Sequence, residues 1–278
     1  MKCVTDRLPE AGEYLLLDTG YTTAHEIVAR RDGGWRRVRF PATCVLFRHP
    51  TRGYCLFDTG YAPRFFRATQ HWPERGYALA TPVVCTPDTT AAAQLARLGA
   101  AAADVRHVFL SHFHADHTAG LRDFPEATVW CSQRAWAQTQ HLRGLAAVRR
   151  GVLRALEPDD LVARLHFFEA APRVARTDVW QHHHDVFGDG FFRVIDLPGH
   201  ARGQVGLLAG NESLLLAADA CWRTAALRAG VLPLPTVRLF FDDWRAYRRT
   251  FFRLRHWWRQ HPDAEVRCCH ELADHVRW

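Results

Sequence analysis

Short apolar runs, each closed by turn-forming residues, dominate the first half of the chain. Residues 14–17 are apolar and stop at Asp18-Thr19-Gly20, and the runs 42–47 and 54–57 flank a segment, 49–53, that contains proline and glycine. Runs of this length between turn signals predict strands, and the last two predict a hairpin. A second Asp-Thr-Gly sequence closes the hairpin at residues 58–60. The repeat is either chance or two strand ends of similar geometry.

The rest of the chain alternates strand and helix patterns. Strands are predicted at residues 105–110, 128–131, 192–197, 204–208, 213–217 and 265–269, and helices at 91–98, 133–143 and 243–260. The last helix places Trp244, Tyr247, Phe251, Leu254 and Trp258 at three- or four-residue steps, which predicts a core-facing stripe. A helix is also expected to start within 118–122. Residues 61–88 are predicted to be irregular, and a polar, exposed loop is predicted around His182-His183-His184.

Strands followed by helices predict an α/β fold, in which apolar strands are covered by helices in layers. Of the 278 residues, 48% are apolar and 23% are charged, which is typical of a soluble globular protein with a sizeable core. No linker is evident, so residues 1–278 are expected to form a single domain. No run approaches about 18 uncharged apolar residues, so no membrane span is expected. The first residues lack the pattern of a secretory signal, so a cytoplasmic location is expected.

The net charge and the cysteine content exclude few classes of function. The net charge of +7 comes almost entirely from scattered arginines. No nucleic-acid-binding signature accompanies them, so we interpret them as solvated residues rather than as a nucleic-acid site. The eight cysteines form no C-x-x-C pair and are expected to be free thiols in a reducing compartment.

One segment concentrates groups that bind metal ions. Directly after the strand predicted at 105–110, the sequence Ser-His-Phe-His-Ala-Asp-His-Thr-Ala-Gly at residues 111–120 places four metal-competent side chains within six residues. His112 and His114 are two residues apart and face the same side of an extended stretch. Asp116 and His117 follow where the chain turns, and they can address a second centre. Imidazole and carboxylate suit zinc and similar metals, so this pattern favours a metal site over a polar loop with incidental histidines.

The H-x-H-x-D-H pattern resembles the signature of the metallo-β-lactamase superfamily of metal-dependent hydrolases. Four other segments fit the same family in the same order: Asp-Thr-Gly at 58–60, Leu-Pro-Gly-His at 197–200, the apolar run that ends at Asp219, and Cys-Cys-His at 268–270. The resemblance implies a four-layer αβ/βα sandwich with a dinuclear metal centre at one edge. In that centre His112, His114 and His200 would hold the first metal, Asp116, His117 and His270 the second, and Asp219 would bridge the two.

The same resemblance implies a reaction. Two cations, expected to be Zn²⁺ although Fe, Mn or Co accept the same ligands, would lower the pKa of a shared water so that hydroxide attacks an electrophilic carbonyl. Asp116 would carry a proton to the leaving group, and Asp58 would orient a ligand imidazole. The predicted function is therefore hydrolysis of a small ester, lactone or thioester. The expected partner is a small acyl substrate, with neither nucleic acid nor membrane involved.

Within the superfamily, the sequence is most similar to the N-acyl homoserine lactone lactonase and glyoxalase-II-like branch. It has aspartate rather than cysteine at 219, and a Pro-Gly-His-x-x-Gly-Gln pattern at 198–204. Those lactonases carry a tyrosine three residues after the bridging aspartate, where this chain has Trp222. An indole N–H donates a hydrogen bond but cannot transfer a proton as a phenol does. Trp222 is therefore a candidate catalytic residue whose identity puts lactone specificity, more than hydrolysis, in question.

Other interpretations stay open at this point. The aromatic segment 61–88 either selects the acyl group or packs in the core or in a homodimer interface, and the run 222–241 is expected to close one side of the cleft. Arg223 or Arg228 either binds an anionic substrate or is a surface arginine, and Cys221 is interpreted as a neighbour of the site rather than a ligand. The fold would also suit a mononuclear iron persulfide dioxygenase, or a non-enzymatic binding protein that keeps the metal scaffold.

Overall fold

The computed structural model describes residues 1–175, 179–180 and 183–271, and within these ranges the strands form two sheets. The strands of the first sheet are, in chain order, β1 (Lys2–Val4), β2 (Glu13–His25), β3 (Arg37–His49), β4 (Gly53–Phe57), β5 (Val83–Val84), β6 (Val105–Phe109), β7 (Thr128–Cys131) and β8 (Leu165–Phe167). Those of the second sheet are β9 (His183–Asp185), β10 (Phe192–Asp196), β11 (Val205–Ala209), β12 (Leu214–Leu216) and β13 (Glu265–Arg267).

The helices are short except for the last one. They are α1 (Glu26–Ala29), α2 (Arg64–Ala68), α3 (Glu74–Ala80), α4 (Ala91–Arg97), α5 (Ala115–Thr118), α6 (Gln133–Thr139), α7 (Gly144–Val148), α8 (Leu161–Arg164), α9 (Thr224–Ala229) and α10 (Trp244–Gln260). The side chain of Asp243 caps α10 by accepting hydrogen bonds from the backbone N–H groups of residues 245 and 246, which fixes the helix start. No helix in the described ranges is long and apolar enough to cross a membrane.

Strand order brings the functional loops to one edge. The first sheet runs β1-β2-β3-β4-β6-β7-β8, with β5 paired to β2, and the second runs β13-β12-β11-β10-β9. β3 and β4 form the predicted antiparallel hairpin, whereas β4 and β6 are parallel, with Phe57 opposite Phe109. Because the carboxyl ends of parallel strands lie at the same edge, the segments after β4 and β6 meet there.

Alternating side chains divide the two faces of each sheet between different cores. In β2, Leu15 and Leu17 pack with residues of α4, α6, α7 and α8, whereas Tyr14 faces the second sheet. In β12, Leu215 packs with α9 and α10, whereas Leu214 faces the first sheet. The order is therefore helices, sheet, sheet, helices, and the predicted four-layer αβ/βα sandwich is confirmed. The buried stripe of α10 contains Tyr247, Phe251, Leu254 and Trp257, with Trp244 and Trp258 only half-buried.

Several local predictions are wrong, in each case because tertiary pairing overrides the local signal. β2 does not stop at Gly20 but crosses a bulge between Asp18 and Tyr21 and continues along β3 to His25. The helix expected to start within 118–122 begins at Ala115, and residues 61–88 contain α2, α3 and β5. The predicted loop around 182–184 is instead strand β9, paired with β10, in which His183 is buried; residue 182 lies outside the described residues.

The two Asp-Thr-Gly segments differ in geometry and touch each other. The first lies inside β2 at the bulge, and the second follows β4. Thr19 Oγ1 accepts a hydrogen bond of 3.0 Å from the backbone N–H of Tyr61, and a β-carbon on Gly60 would lie 1.9 Å from the same oxygen. Since Gly60 also has a φ of +67°, both the backbone conformation and the close approach require glycine there.

Candidate metal centre

Loops from both sheets converge at one edge of the sandwich. The loop after β6 carries the H-x-H-x-D-H residues, and it faces loops of the second sheet. The predicted ligands and the strands that precede them are His112, His114, Asp116 and His117 after β6, His200 after β10, Asp219 after β12 and His270 after β13.

The donor atoms of these side chains form overlapping clusters. Three such groups, each with its donor atoms within 4.8 Å of one another, are His112, His114, His200 and Asp219; Asp116, Asp219 and His270; and His117, Asp219 and Cys269. Asp219 belongs to all three groups. Its Oδ2 lies 3.0 Å from His200 Nε2, and its Oδ1 lies 3.5 Å from His117 Nε2. The structure thus brings together all seven side chains proposed as ligands, while metal binding by each of them stays a prediction.

Hydrogen bonds on the outer side of two rings direct the Nε2 atom of each toward the centre. His117 Nδ1 lies 2.7 Å from Asp58 Oδ2, and His270 Nδ1 lies 2.7 Å from the carbonyl oxygen of Pro41. A carboxylate and a carbonyl oxygen only accept hydrogen bonds, so both Nδ1 atoms carry the proton. When either ring carries a single proton, its lone pair therefore lies on Nε2, the tautomer that a metal ligand needs.

Asp58, at the end of β4, holds the loop after β6 that carries His112, His114, Asp116 and His117 (the ligand loop). It is 1% exposed and has a φ of +58°, a conformation that aspartate adopts more readily than most non-glycine residues. Its Oδ1 accepts a hydrogen bond of 2.8 Å from the backbone N–H of Ser111, and its Oδ2 accepts another of 2.8 Å from the Ser111 hydroxyl. Ser111 Oγ also lies 3.0 Å from His112 Nδ1. Asp58 therefore orients His117 directly and His112 through Ser111, which is the supporting position expected from the sequence.

The backbone around His114 leaves room for its ring only because residue 151 is glycine. His114 Nδ1 lies 3.0 Å from His200 Nε2, so the two nitrogens face one point. On the other side of the ring, a β-carbon at Gly151 would lie 2.5 Å from His114 Cδ2, and Gly151 has a φ of +70°. Any larger residue at 151 would be strained and would displace the ring.

Asp219 follows a residue with unusual backbone conformation. Ala218 has a φ of +44°, a left-handed conformation that costs an alanine about 1–2 kcal/mol. It begins the short 3₁₀ helix Ala218–Ala220, which turns the chain out of β12 and carries Asp219 into the centre. Backbone strain of this kind clusters at functional sites.

Burial and neighbouring charges both shift the pKa values of the clustered histidines and of Asp219. Burial, reinforced by neighbouring imidazoles, lowers the pKa of His112 and of His114 well below the ordinary value, so both rings are neutral. Burial also disfavours charge on His117 and His270, but the nearby carboxylates outweigh it and raise the pKa of both rings. In the same way, the surrounding imidazoles outweigh burial and lower the pKa of Asp219 well below its usual range. The Asp219 carboxylate therefore stays ionised and supplies negative charge that attracts cations.

The donor set fits divalent cations. His112 Nε2 and His117 Nε2 are buried and have no hydrogen-bond partner among the residues that the structure describes. An unsatisfied buried nitrogen costs about 1–3 kcal/mol, whereas coordination to a cation would satisfy both atoms. Imidazole nitrogen and carboxylate oxygen are also the ligands that Zn²⁺ and similar ions prefer.

A cavity of about 480 Å³ opens onto the centre. Its polar floor contains part of the donor clusters, namely His114, Asp116, His200, Asp219 and His270, and its walls come from three segments of the chain. β2 contributes residues 22–24, the aromatic segment 61–88 contributes Tyr61 and Tyr77, and the opposite wall contains Leu239, Phe240 and Phe241. The 61–88 segment, for which substrate selection and packing were both open, therefore lines the cleft, and so does the end of the 222–241 run.

Trp222 lines the cavity between Asp219 on its floor and Phe241 on its wall. Its Nε1 donates a hydrogen bond of 3.2 Å to Asp219 Oδ2. Its ring packs edge-on against Phe40 and Phe241, with ring centroids 6.2 and 5.5 Å apart. The indole thus contacts the carboxylate shared by the clusters, and its part in catalysis stays a prediction.

The arginines considered for substrate binding lie elsewhere. Arg223 and Arg228 line a separate groove of about 940 Å³ between the start of β3 and the helices α9 and α10. The Arg223 guanidinium lies 5.0 Å from the centroid of the Phe40 ring and donates a hydrogen bond to the carbonyl oxygen of Arg39. Neither arginine lines the cavity above the donor clusters, so neither is placed to bind a substrate there.

One donor at the centre was not predicted from the sequence. Cys269 Sγ donates a hydrogen bond to Asp219 Oδ1. Its position next to His270 was a weak signal, because neighbouring residues in a strand point to opposite faces. Strand β13 ends at Arg267, however, so this alternation does not extend to 269 and 270. Cys221, in contrast, belongs to none of the donor groups described above, and its Sγ donates to the carbonyl oxygen of Arg223.

The layered sheets and the clustered histidines and aspartates define a metal-binding α/β sandwich. The family model of the metallo-beta-lactamase superfamily matches residues 37–256, and the chain belongs to this superfamily.

Individual proteins resemble the chain over much of its length. It is 29% identical over 221 residues to the metallo-hydrolase mfmC of Annulohypoxylon moriforme. The matched region covers 73% of this chain but only 54% of mfmC. It is 28% identical over 202 residues to the N-acyl homoserine lactonase AttM of Azorhizobium caulinodans, covering 70% of each. A solved N-acyl homoserine lactone hydrolase, with N-hexanoyl-L-homoserine bound at its catalytic metal centre, superposes with a TM-score of 0.65 at 16% identity, covering 93% of each chain.

Proposed function

We propose that this protein is a two-cation hydrolase that cleaves a small ester, lactone or thioester with an apolar acyl group. The observation that carries the proposal is the set of overlapping donor clusters that share Asp219 at the floor of a partly apolar cavity. The names of the relatives, a metallo-hydrolase and an N-acyl homoserine lactonase, support the same class of reaction.

The arrangement favours two cations over one. A mononuclear iron centre would need only His112, His114, His200 and Asp219, which form the first cluster. The further donors Asp116, His117 and His270 also lie close to Asp219, with His117 Nε2 3.5 Å from Oδ1 and His270 Nε2 3.5 Å from Oδ2. Asp116 Oδ2 lies 3.5 Å from His117 Nε2 and 3.7 Å from His270 Nε2, so a second cation would be held by imidazole and carboxylate as well.

Each residue has a part in the proposed reaction. The cations, when bound, supply Lewis-acid activation of water and of the acyl carbonyl. The Asp116 carboxylate belongs to the second cluster and also lines the cavity, so it is placed to carry a proton toward the leaving group. Trp222 can only donate, so we assign it to positioning: it holds Asp219 through Nε1 and presents its ring to the acyl group.

The cavity fits an apolar acyl chain. Leu239 is 79% exposed and Phe240 is 71% exposed, and both lie on the cavity wall beside the donor clusters. Large apolar side chains of this kind, placed together next to a polar floor, are typical of ligand sites. Each CH₂ group that a substrate buries against this wall contributes about 0.8 kcal/mol.

The test is a panel of acyl lactones, aryl esters and acyl thioesters, assayed with untagged, metal-replete protein whose metal content is measured by elemental analysis. We expect turnover by the wild type, and loss of both turnover and bound metal in His114→Ala and Asp219→Ala. His256→Ala is the matched control, because His256 is exposed on α10. Fully loaded protein that turns over no member of the panel would contradict hydrolysis and favour a binding protein. A single iron per chain would contradict the two-cation centre.

A further inference from the structure

A thiol lies beside His117 and Asp219, two of the donors assigned to the second cation. Cys269 is 8% exposed, and its Sγ donates a hydrogen bond to Asp219 Oδ1. Cys269 Sγ, His117 Nε2 and an Asp219 carboxylate oxygen all lie within 4.8 Å of one another. Donor atoms this close could share one Zn²⁺, whose bonds are about 2.3 Å to sulfur and about 2.0 Å to nitrogen.

A second observation points into the same space. His117 Nε2 is buried and has no hydrogen-bond partner among the described residues, and it faces Asp219 Oδ1 at 3.5 Å. Its ring cannot turn away, because Nδ1 is fixed by Asp58. The backbone of Cys269 is also fixed, since its carbonyl oxygen accepts a hydrogen bond of 3.1 Å from the N–H of Thr43 in β3. The nitrogen and the thiol are therefore both held toward one carboxylate oxygen.

We infer that Cys269 is a ligand of the second cation, in addition to Asp116, His117, Asp219 and His270. The inference rests on the proposed two-cation centre. When the sulfur–metal bond forms, the thiol releases its proton to solvent and the hydrogen bond to Asp219 Oδ1 is replaced by that bond. The two positions then differ in chemistry: the first has nitrogen and oxygen donors only, and the second also has sulfur. A thiolate makes the second position selective for Zn²⁺ and other soft or borderline ions over Mn²⁺ or Mg²⁺.

Two neighbouring cysteines provide matched controls. Cys268 is 4% exposed and packs in the core between the second sheet and its helices. Cys221 is 1% exposed in the same core, and its Sγ donates to the carbonyl oxygen of Arg223. Neither thiol belongs to a donor group at the centre, so a change from thiol to hydroxyl at either position tests general effects of losing a buried sulfur.

The experiment loads the metal-free wild type with Co²⁺ and records its absorption spectrum, with cobalt per chain measured by elemental analysis. Thiolate ligation gives a sulfur-to-cobalt charge-transfer band in the near ultraviolet, whereas imidazole and carboxylate ligands do not. We expect the band to be present in the wild type, C268S and C221S once two equivalents of Co²⁺ are bound. We expect it to be lost in C269S, together with a roughly 100-fold fall in affinity for the second cobalt, the upper end of what loss of a supporting residue costs.

The outcomes separate this inference from the proposed function. Two cobalt ions bound without a charge-transfer band would overturn the role of Cys269 and leave the two-cation hydrolase intact. A band that survives in C269S, or that disappears in C268S or C221S instead, would also overturn it. Failure of the wild type to bind two cobalt ions would count against the two-cation centre itself and against any second ligand set. If C269S does not fold, the C221S/C268S double variant decides: retention of the band supports Cys269, and its loss excludes it.

Discussion

The exchange of Asp58 for asparagine tests how the ligand loop is held. Asparagine at this position would keep the size of the side chain and tolerate the φ of +58°, but its amide NH₂ group donates where the carboxylate accepts. Facing His117 Nδ1, that NH₂ group favours the tautomer with the proton on Nε2, which removes the lone pair from the atom that faces Asp219. A wrong tautomer in a site of intact geometry is known to be severe in other enzymes.

The magnitude follows from the contacts of Asp58. Three donors of 2.7–2.8 Å reach its carboxylate, and hydrogen bonds to charged groups contribute about 1.5–3 kcal/mol each. The Ser111 hydroxyl and the His117 ring can both reorient, so we expect Asp58→Asn to lower the free energy of unfolding of the metal-free protein by roughly 2 kcal/mol. Affinity for one of the two cations should fall by about 10–100-fold.

The assay is calorimetric titration of metal-free protein with Zn²⁺, together with urea unfolding followed by circular dichroism. Asp18→Asn is the control, because it makes the same change in the other Asp-Thr-Gly segment, outside the donor clusters. It should leave both zinc affinities unchanged. Wild-type affinity for both cations in Asp58→Asn would refute the argument that Asp58 sets the tautomer of His117.

Three further expectations concern single contacts. Gly151→Ala should weaken binding of one cation more than the other, because the new β-carbon would lie 2.5 Å from the His114 ring; a stoichiometric titration that still shows two tight sites would contradict this. Trp222→Phe keeps the ring but removes the donor to Asp219, so we expect kcat to fall by up to about tenfold, and an unchanged kcat would show that the N–H group is not used. Burial raises the pKa of Asp18 from 3.8 to about 6, so folding favours its protonated form and stability should decline by about 3 kcal/mol as pH rises through that window. In urea unfolding across pH 4–7, Asp18→Asn should lack this decline, and an identical profile in both proteins would argue against the assignment.

Elements with a strong local pattern were predictable from the sequence. The hairpin β3–β4, the strands β6, β7 and β10–β12, and the helix α10 each follow from apolar periodicity between turn residues, and the structure places them within a few residues of the predicted bounds. The seven proposed ligands could also be predicted from local sequence patterns. Four of its members lie in one short segment, and the other three stand at strand ends that the family motifs mark.

What could not be predicted depends on partners far away in the chain. β2 passes through Gly20 because β3 pairs with it on both sides of the bulge, and no local signal carries that information. His183 and His184 are polar, yet pairing with β10 places them in a sheet. Cys269 is one of two adjacent cysteines with no spacing that marks it as a ligand, and only the approach of the strand ends β12 and β13 brings its sulfur to Asp219.

The donors of the centre are divided between the two sheets. His112, His114, Asp116 and His117 extend from the first sheet, whereas His200, Asp219 and His270 extend from the second. Each proposed cation would therefore take ligands from both sheets. Bound cations would in this way link the first sheet to the second. If the proposed cations bind, chelation should loosen the contact between the sheets before it unfolds either sheet, and loss of metal should lower the stability of the molecule as well as its activity.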